Sequence, residues 1–496
     1  MNPMNPLRRA RRAPLAIGLL LSFGTFGSAC SREPSPPPEY PPLDSVDGTE
    51  EPIAEAEPEP EPEPPREPPP QGGTARDIAF PAITRSSLPN GLELNTVSST
   101  QLPVVYLQLV IRSGGETNPA DLPGLAGIVA DMLKEGTTRR TSAELAEEIE
   151  FLGADIAVAA TSESLVITFR ALKEQLPQAL ALVAEVATMP AFDEAELEKL
   201  RRRELDRLEL SQQDPRYLSS RAYYRALYGA HPYGRVDTTP EALRAVTQAN
   251  LVAWHRTHVV ANNAYLVVVG DVTAADVRRR ANSAFGRWRR GTVPEVSYPA
   301  PPTRTEREII IVDREGSSQT QIRVGNLAIA RGNDDWVPLQ VANQVLGGSA
   351  SSRLFMDLRE RRSLTYGAYS FVEERQQVGA FTVGAAVRTE VTAQAMEALL
   401  EHLVAISSVA PEEAETDLAR RYLSDSFPLS IDTPGKVAGL VSDLRGYGLP
   451  DDYWESFRTR IRAVTPEQSL AAARAHVHPD QMVMVLVGGM LPWAAR

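Results

Sequence analysis

Histidines at helical spacing are the first residues here that could do chemistry, because imidazoles at i and i+3 or i+4 share one helical face and can offer two neutral nitrogen ligands to a metal. His255 and His258 have that spacing near a helix end, whereas His476 and His478 alternate on the approach to a strand. Neither pair has a suitably spaced carboxylate, and His231 and His402 stand alone, so all six read as packed or surface histidines. Glu204, Asp206 and Glu209 are carboxylates at helical spacing, and they read as the solvated face of an amphipathic helix. A third group lies in the second half: Gly347-Gly348-Ser349-Ala350-Ser351-Ser352-Arg353-Leu354, then Leu358-Arg359-Glu360, then Leu364-Thr365-Tyr366-Gly367. Arg359 and Tyr366 are seven apart, at the end of a helix and the start of a strand. Taken alone, Arg359 is a surface salt bridge with Glu360 or Asp357, and Tyr366 is a core aromatic with its hydroxyl at the rim. Gly347 reads as a helix end; Gly348 either ends the helix or permits close approach of a peptide backbone.

The elements that must position these residues form a pattern that runs twice. Leu88-Pro89-Asn90-Gly91 is a turn, followed by an alternating strand through Val105, Leu107, Leu109 and Ile111. Helices are expected from Pro123 to Lys134 and from Ser142 to Leu152, then a hairpin over Ile156 to Leu172, then long helices over 174–188 and 193–212. This half closes on the apolar strand 265–270. After a proline-rich linker at 292–304 come strands at Ile309 to Val312 and Thr320 to Ile329, and helices from Asp335 to Leu346 and over 351–361. A hairpin at Tyr366 to Val372 and Ala380 to Val387 follows, and the half ends on the apolar run 482–488. His258-Val259 precedes Gly270 by twelve residues and His476-Val477 precedes Gly488 by twelve, an internal duplication offset by about 218. The expected fold class is α+β: two homologous domains, residues 79–291 and 305–496, each a mainly antiparallel sheet with helices packed on one face.

Composition narrows the function. The chain has 496 residues, 43% of them apolar, which is ample for two cores, and one cysteine, which excludes an intrachain disulfide framework or a multi-cysteine metal site. A net charge of −13 argues against nucleic acid as a partner. Arg8, Arg9, Arg11 and Arg12 precede an uncharged stretch and then Gly27-Ser28-Ala29-Cys30, the pattern of a signal peptide over 1–29. The small residues and following cysteine are similar to a bacterial lipobox, which implies lipidation at Cys30; an ordinary secreted protein is the alternative. Ser31 after the cysteine favours, by analogy, the outer membrane facing the periplasm. Residues 31–72 hold 15 prolines and a net charge of −10, so the segment from 30 to 78 is an extended, self-repelling tether.

Leu88-Pro89-Asn90-Gly91, Pro123-Gly124-Leu125-Ala126, the run Met132-Leu133-Lys134-Glu135-Gly136-Thr137 and His231-Pro232-Tyr233-Gly234 together resemble the pitrilysin and mitochondrial-processing-peptidase family, in the same order and over most of residues 80–490. In that family the helix between the second and third motifs carries the inverted zinc motif H-x-x-E-H. Here it reads Gly127-Ile128-Val129-Ala130-Asp131, so Gly127 and Ala130 have no donor and Asp131 stands alone. The resemblance places the family's third ligand, a glutamate, at Arg207, whose guanidinium repels a dication. No metal is expected in this chain.

What the resemblance retains is the second-half pair. By it, Arg359 holds a substrate backbone carbonyl and Tyr366 donates to the developing oxyanion across a closed chamber. Arg353 and Gly348 are the accompanying candidates for substrate binding. Loss of the ligands with retention of this pair is similar to the non-catalytic subunit of two-component members. The implied molecule is half of a clamshell, inactive alone. A homologous partner subunit brings the zinc, and together they cleave unfolded peptide. The alternative is a scaffold or peptide-binding lipoprotein of the cell envelope, with no part in proteolysis.

Overall fold

The computed structural model describes residues 78–235 and 237–489; the expected signal peptide, Cys30 and the acidic tether through residue 77 lie outside the described residues. The strands are β1 (Ile83–Ser87), β2 (Glu93–Ser98), β3 (Val104–Ile111), β4 (Asp155–Ala160), β5 (Leu165–Leu172) and β6 (Ala264–Gly270) in the first half. The second half contributes β7 (Glu308–Asp313), β8 (Gln319–Leu327), β9 (Thr365–Val372), β10 (Ala380–Arg388) and β11 (Val483–Gly488). Helices of the first half are α1 (Leu125–Met132), α2 (Ser142–Phe151), α3 (Leu176–Thr188), α4 (Glu194–Ser211), α5 (Pro215–Tyr228), α6 (Pro240–Ala245), α7 (Gln248–His258) and α8 (Ala274–Phe285). Those of the second are α9 (Trp336–Leu346), α10 (Arg353–Phe355), α11 (Thr392–Ser408), α12 (Glu413–Asp425), α13 (Pro434–Gly446), α14 (Tyr453–Arg462) and α15 (Pro466–His476).

The two sheets have the same plan. The first runs β1-β2-β6-β3-β5-β4 and the second β7-β11-β8-β10-β9, so without the extra edge strand β1 each position holds the equivalent element. Among the described residues only β2 with β6 and β7 with β11 are parallel; every other pair is antiparallel. The helices before the closing strands match as well. Thr247 and Thr465 each form a reciprocal capping box, with Asn250 and Gln468, and the helices so started end on His258 and His476. The 218-residue offset holds for the closing helix and strand, while register-equivalent residues such as Glu93 and Glu308, or Leu109 and Val324, are 215 apart.

The helices that pack on each sheet from its own half lie on one face, as expected, and a helix of the other half covers the opposite face. Strand β6 is buried at every residue: Leu266 and Val268 face the first half's own helices, while Tyr265, Val267 and Val269 face α13 of the second half. Strand β11 mirrors it, with Met484 and Leu486 inward and Val483, Val485 and Val487 against Tyr223, Leu227 and Tyr228 of α5. A strand covered on both faces must be apolar throughout rather than alternating, which is why 265–270 and 482–488 are unbroken apolar runs. Each half thus lends a helix to the other's sheet, and the two form a single compact unit. The segment after α8 runs without regular structure until β7, yet it is fastened: the Tyr298 hydroxyl donates to Glu116 Oε2 at 2.9 Å and Arg304 Nη2 to the Ala226 carbonyl at 2.5 Å.

Candidate functional site

Helix α1 begins where Gly124 adopts φ +88°, a left-handed conformation. A Cβ there would lie 2.6 Å from Thr238 Cβ, so the Pro-Gly of the motif fixes how α1 leaves its loop. Asn118 Oδ1 accepts the otherwise unsatisfied Ala126 N–H at 2.8 Å. Across from α1, helix α4 presents Glu204 and Arg207, and the two helices wall a cleft of about 350 Å³ lined by Gly127, Asp131, Glu204, Arg207 and Asp237. The degenerate positions therefore share one cleft, except Ala130, which is buried in the core. A Cβ on Gly127 would meet nothing within 4 Å, so the space above it is open.

The cleft does not fit a zinc ion. Gly127 and Ala130 have no donors, and Asp131 Oδ1 lies 3.8 Å from Lys134 Nζ. Arg207 Nε donates to Glu204 Oε2 at 2.6 Å and its Nη2 lies 3.9 Å from Asp237 Oδ1. Among the described residues no three His, Cys, Asp or Glu side chains converge as a metal ligand set. The guanidinium supplies positive charge to Glu204, Asp237 and Asp131, and the Glu204 hydrogen bond raises its own affinity for the proton. Burial pushes the Asp131 carboxyl above its ordinary value, with Lys134 pulling the other way.

The second-half pair is built by two irregularities. Beyond α10 the helix widens into a π-helical turn at Met356–Arg361, a departure from the regular helix expected over 351–361. Asp357, its side chain 4% exposed, pins this turn by accepting from Arg361 and Arg362 at 3.0 Å and from His402 Nε2 at 2.9 Å. Burial pushes Asp357 up, but the hydrogen bond from His402 and the charge of Arg362 outweigh it and hold the carboxyl below its usual range. Ser363 follows at φ +51°, and Tyr366 and Gly367 together face the single residue Ala386, a bulge at the start of edge strand β9. Bulges re-aim side chains, and here Tyr366 is 85% exposed rather than a core aromatic. The Arg359 guanidinium carbon lies 4.5 Å from the Tyr366 ring centroid and 4.8 Å from that of Phe355, while Nε lies 3.2 Å from Glu360 Oε1. Arg359 and Tyr366 are thus in contact. None of their hydrogen bonds, ion pairs or ring contacts among the described residues reaches the Gly127–Arg207 cleft.

Arg353 and Gly348 each have contacts within the fold. Arg353 makes a bidentate pair with Glu415, at 2.8 and 2.6 Å, that ties α10 to α12. A Cβ on Gly348 would lie 2.8 Å from Gln344 Cα, so its own helix requires the glycine. Gly347 does end α9, with its Cβ position 2.5 Å from the Ser370 backbone nitrogen. The histidines are structural: His255 Nε2 meets the Ala187 carbonyl at 2.8 Å, His258 Nδ1 meets Ser113 Oγ at 3.1 Å, and His231 is buried among Tyr228, Tyr233 and Tyr298. His402 is not isolated, because it holds Asp357. His476 ends a helix rather than approaching a strand, and bonds Asp335 at 2.8 Å. Sequence reasoning missed Glu116, Glu163, Arg375 and Asp443, which converge between the halves from separate segments and have no shared local motif.

The profile described as "Insulinase (Peptidase family M16)" matches residues 95–239, and the one described as "Peptidase M16 inactive domain" matches 245–423. An uncharacterized zinc protease of Mycobacterium tuberculosis is 27% identical over 82% of this chain and 93% of its own length. One from Bacillus subtilis is 22% identical over 71% and 85%. A solved structure titled as a peptidase M16 inactive domain from Pseudomonas fluorescens superposes with a TM-score of 0.78 at 28% identity, covering 82% of this chain and 98% of that one. A protease from Helicobacter pylori shares the fold at a TM-score of 0.75 and 18% identity, covering 82% and 99%. The chain belongs to the pitrilysin family of peptidases, family M16, and its own metal motif is degenerate.

Proposed function

We propose that this chain is the non-catalytic subunit of a heteromeric zinc peptidase, one half of a clamshell whose other half is a zinc-bearing homologue. The observation that carries the reading is the contrast between the two sites. The metal positions have lost their donors, yet Arg359 and Tyr366 stand in contact on a bulged edge with the tyrosine open to solvent. In the closed pair, Arg359 holds a backbone carbonyl of the substrate. The Tyr366 hydroxyl donates to the oxygen on which charge accumulates as the peptide bond is attacked. Such donors act on a site whose metal belongs to the partner. Lipidation at Cys30 and the acidic tether would hold the pair off the periplasmic face of the outer membrane.

The Arg359–Glu360 ion pair favours a second reading, a scaffold or peptide-binding lipoprotein in which Arg359 serves only the surface. Cleavage of a quenched peptide library by the full chain, alone and mixed with a zinc-motif homologue, separates the two. Chelator-sensitive cleavage that needs the mixture and falls ~10²-fold with Arg359→Ala supports the subunit. No gain on mixing with an active homologue supports the scaffold.

A further inference from the structure

A second cleft, of about 360 Å³, lies where the two halves meet, and it adjoins the Gly127–Arg207 cleft only at Thr161. The first half contributes Arg112 and Glu163; the second contributes Glu374 and Arg375 from the β9–β10 turn and Asp443 from α13. All but one of these charges are already matched. Arg112 pairs with Glu93 at 3.0 Å and covers the Tyr265 ring at 4.7 Å. Glu374 pairs with Arg331 at 3.1 Å, and Arg375 lies 3.6 Å from Glu373. Glu163 accepts from the Tyr233 hydroxyl and, at 2.7 Å, from the Gln376 N–H.

Asp443 is the exception. Its carboxylate has no hydrogen bond or ion pair among the described residues, and the residue keeps partial exposure at the cleft wall. Beside it, Ser442 is 9% exposed and its Oγ has no hydrogen-bond partner, nor does Arg375 Nε, and both residues line the cleft. Leaving such groups unmatched is costly, and a ligand that supplies a cation and a carbonyl removes the cost. An anion has no open counter-charge here, since both lining arginines have partners, and three acids against two arginines leave the cleft net negative. The volume suits one long side chain with adjoining backbone rather than a folded domain.

We propose that this cleft binds the cationic group of a peptide, a lysine or arginine side chain or a free amino terminus, with Asp443 as its counter-charge. Burial, with the nearby Glu374 charge adding to it and Arg331 opposing, pushes the Asp443 carboxyl up to about 7, in keeping with a carboxylate that has no hydrogen-bond or ion-pair partner among the described residues. The proposal does not depend on the subunit reading. Binding is measured on this chain alone, without cleavage or a partner, so either can fail while the other stands.

The test is fluorescence anisotropy of the full chain at near-physiological salt with three labelled peptides of one neutral, polar sequence. The first has an acetylated amino terminus and a central lysine, the second an acetylated amino terminus and a central norleucine, and the third norleucine with a free amino terminus. A cationic peptide is expected to bind at least ten-fold tighter than the acetylated norleucine peptide, and whichever cation gives the gain identifies its source. Asp443→Asn and Asp443→Ser, neither of which adds volume, should each abolish the difference. Equal binding of all three peptides to the wild-type chain would overturn the proposal, as would a difference that survives in a folded Asp443 variant.

Discussion

At the scale of single residues the chain carries carboxyls where water cannot easily reach them. Glu116 is buried beside Glu163 and accepts from the Tyr298 hydroxyl. Burial pushes its carboxyl up to about 7 from an ordinary 4.5, and Glu163 adds to the rise, while the Tyr298 hydrogen bond and Arg375 oppose it. A raised carboxyl binds its proton more tightly folded than unfolded, so its contribution to stability is full below about 4.5 and is lost as pH rises towards 7. Glu116→Gln should flatten that part of the Tm against pH profile and raise Tm at pH 8. A profile that superposes on the wild type would mean that Glu116 does not titrate in this range. Arg207 shows the converse device, a fixed cation among Asp131, Glu204 and Asp237 where a relative with the full motif would carry a metal.

At the scale of elements, Arg359 and Tyr366 owe their contact to the π-helical turn, the left-handed Ser363 and the bulge opposite Ala386. Asp357 fastens that assembly through three donors, so Asp357→Ala takes the acceptor from His402 and Arg361 and leaves Arg362 only Glu401, which should cost roughly 2–3 kcal/mol, read by denaturant unfolding. A loss under 0.5 kcal/mol would show that the turn is held elsewhere. The sequence made the helix over 351–361 and the strand from Tyr366 legible, because both have the right periodicity. It could not reveal the π-turn, whose Asp357 is held in part by the distant His402 on α11. Nor could it show Arg353 committed to Glu415, 62 residues away. The Gly127–Asp131 and Arg207 positions were found through family motifs, which mark a place in the fold rather than a local pattern.

At the scale of the whole molecule the duplicated halves are not independent. Tyr223 of α5 is fully buried against the second sheet, with its hydroxyl 3.1 Å from Thr382 Oγ1. Tyr223→Ala removes an aromatic from that shared core and should cost about 3–5 kcal/mol. Because α5 and α13 are exchanged, both halves should unfold in one transition that shifts as a unit; a variant that melts only residues 305–489 would contradict the exchange. The duplication itself was legible in the matched endings, but the exchange was not, since α5 and α13 resemble any amphipathic helix until their partner sheets are known. The exchange also forms the Asp443 cleft and holds the bulged edge of β9 within the same body as the Gly127–Arg207 cleft. The central claim, that this chain lends Arg359 and Tyr366 to a partner's chemistry, is tested most directly by steady-state kinetics of the reconstituted pair with Tyr366→Phe. The variant removes one exposed hydroxyl and leaves the fold intact. The account predicts a kcat ~10²-fold lower with KM and assembly unchanged. An unchanged kcat in a fully assembled pair would contradict it.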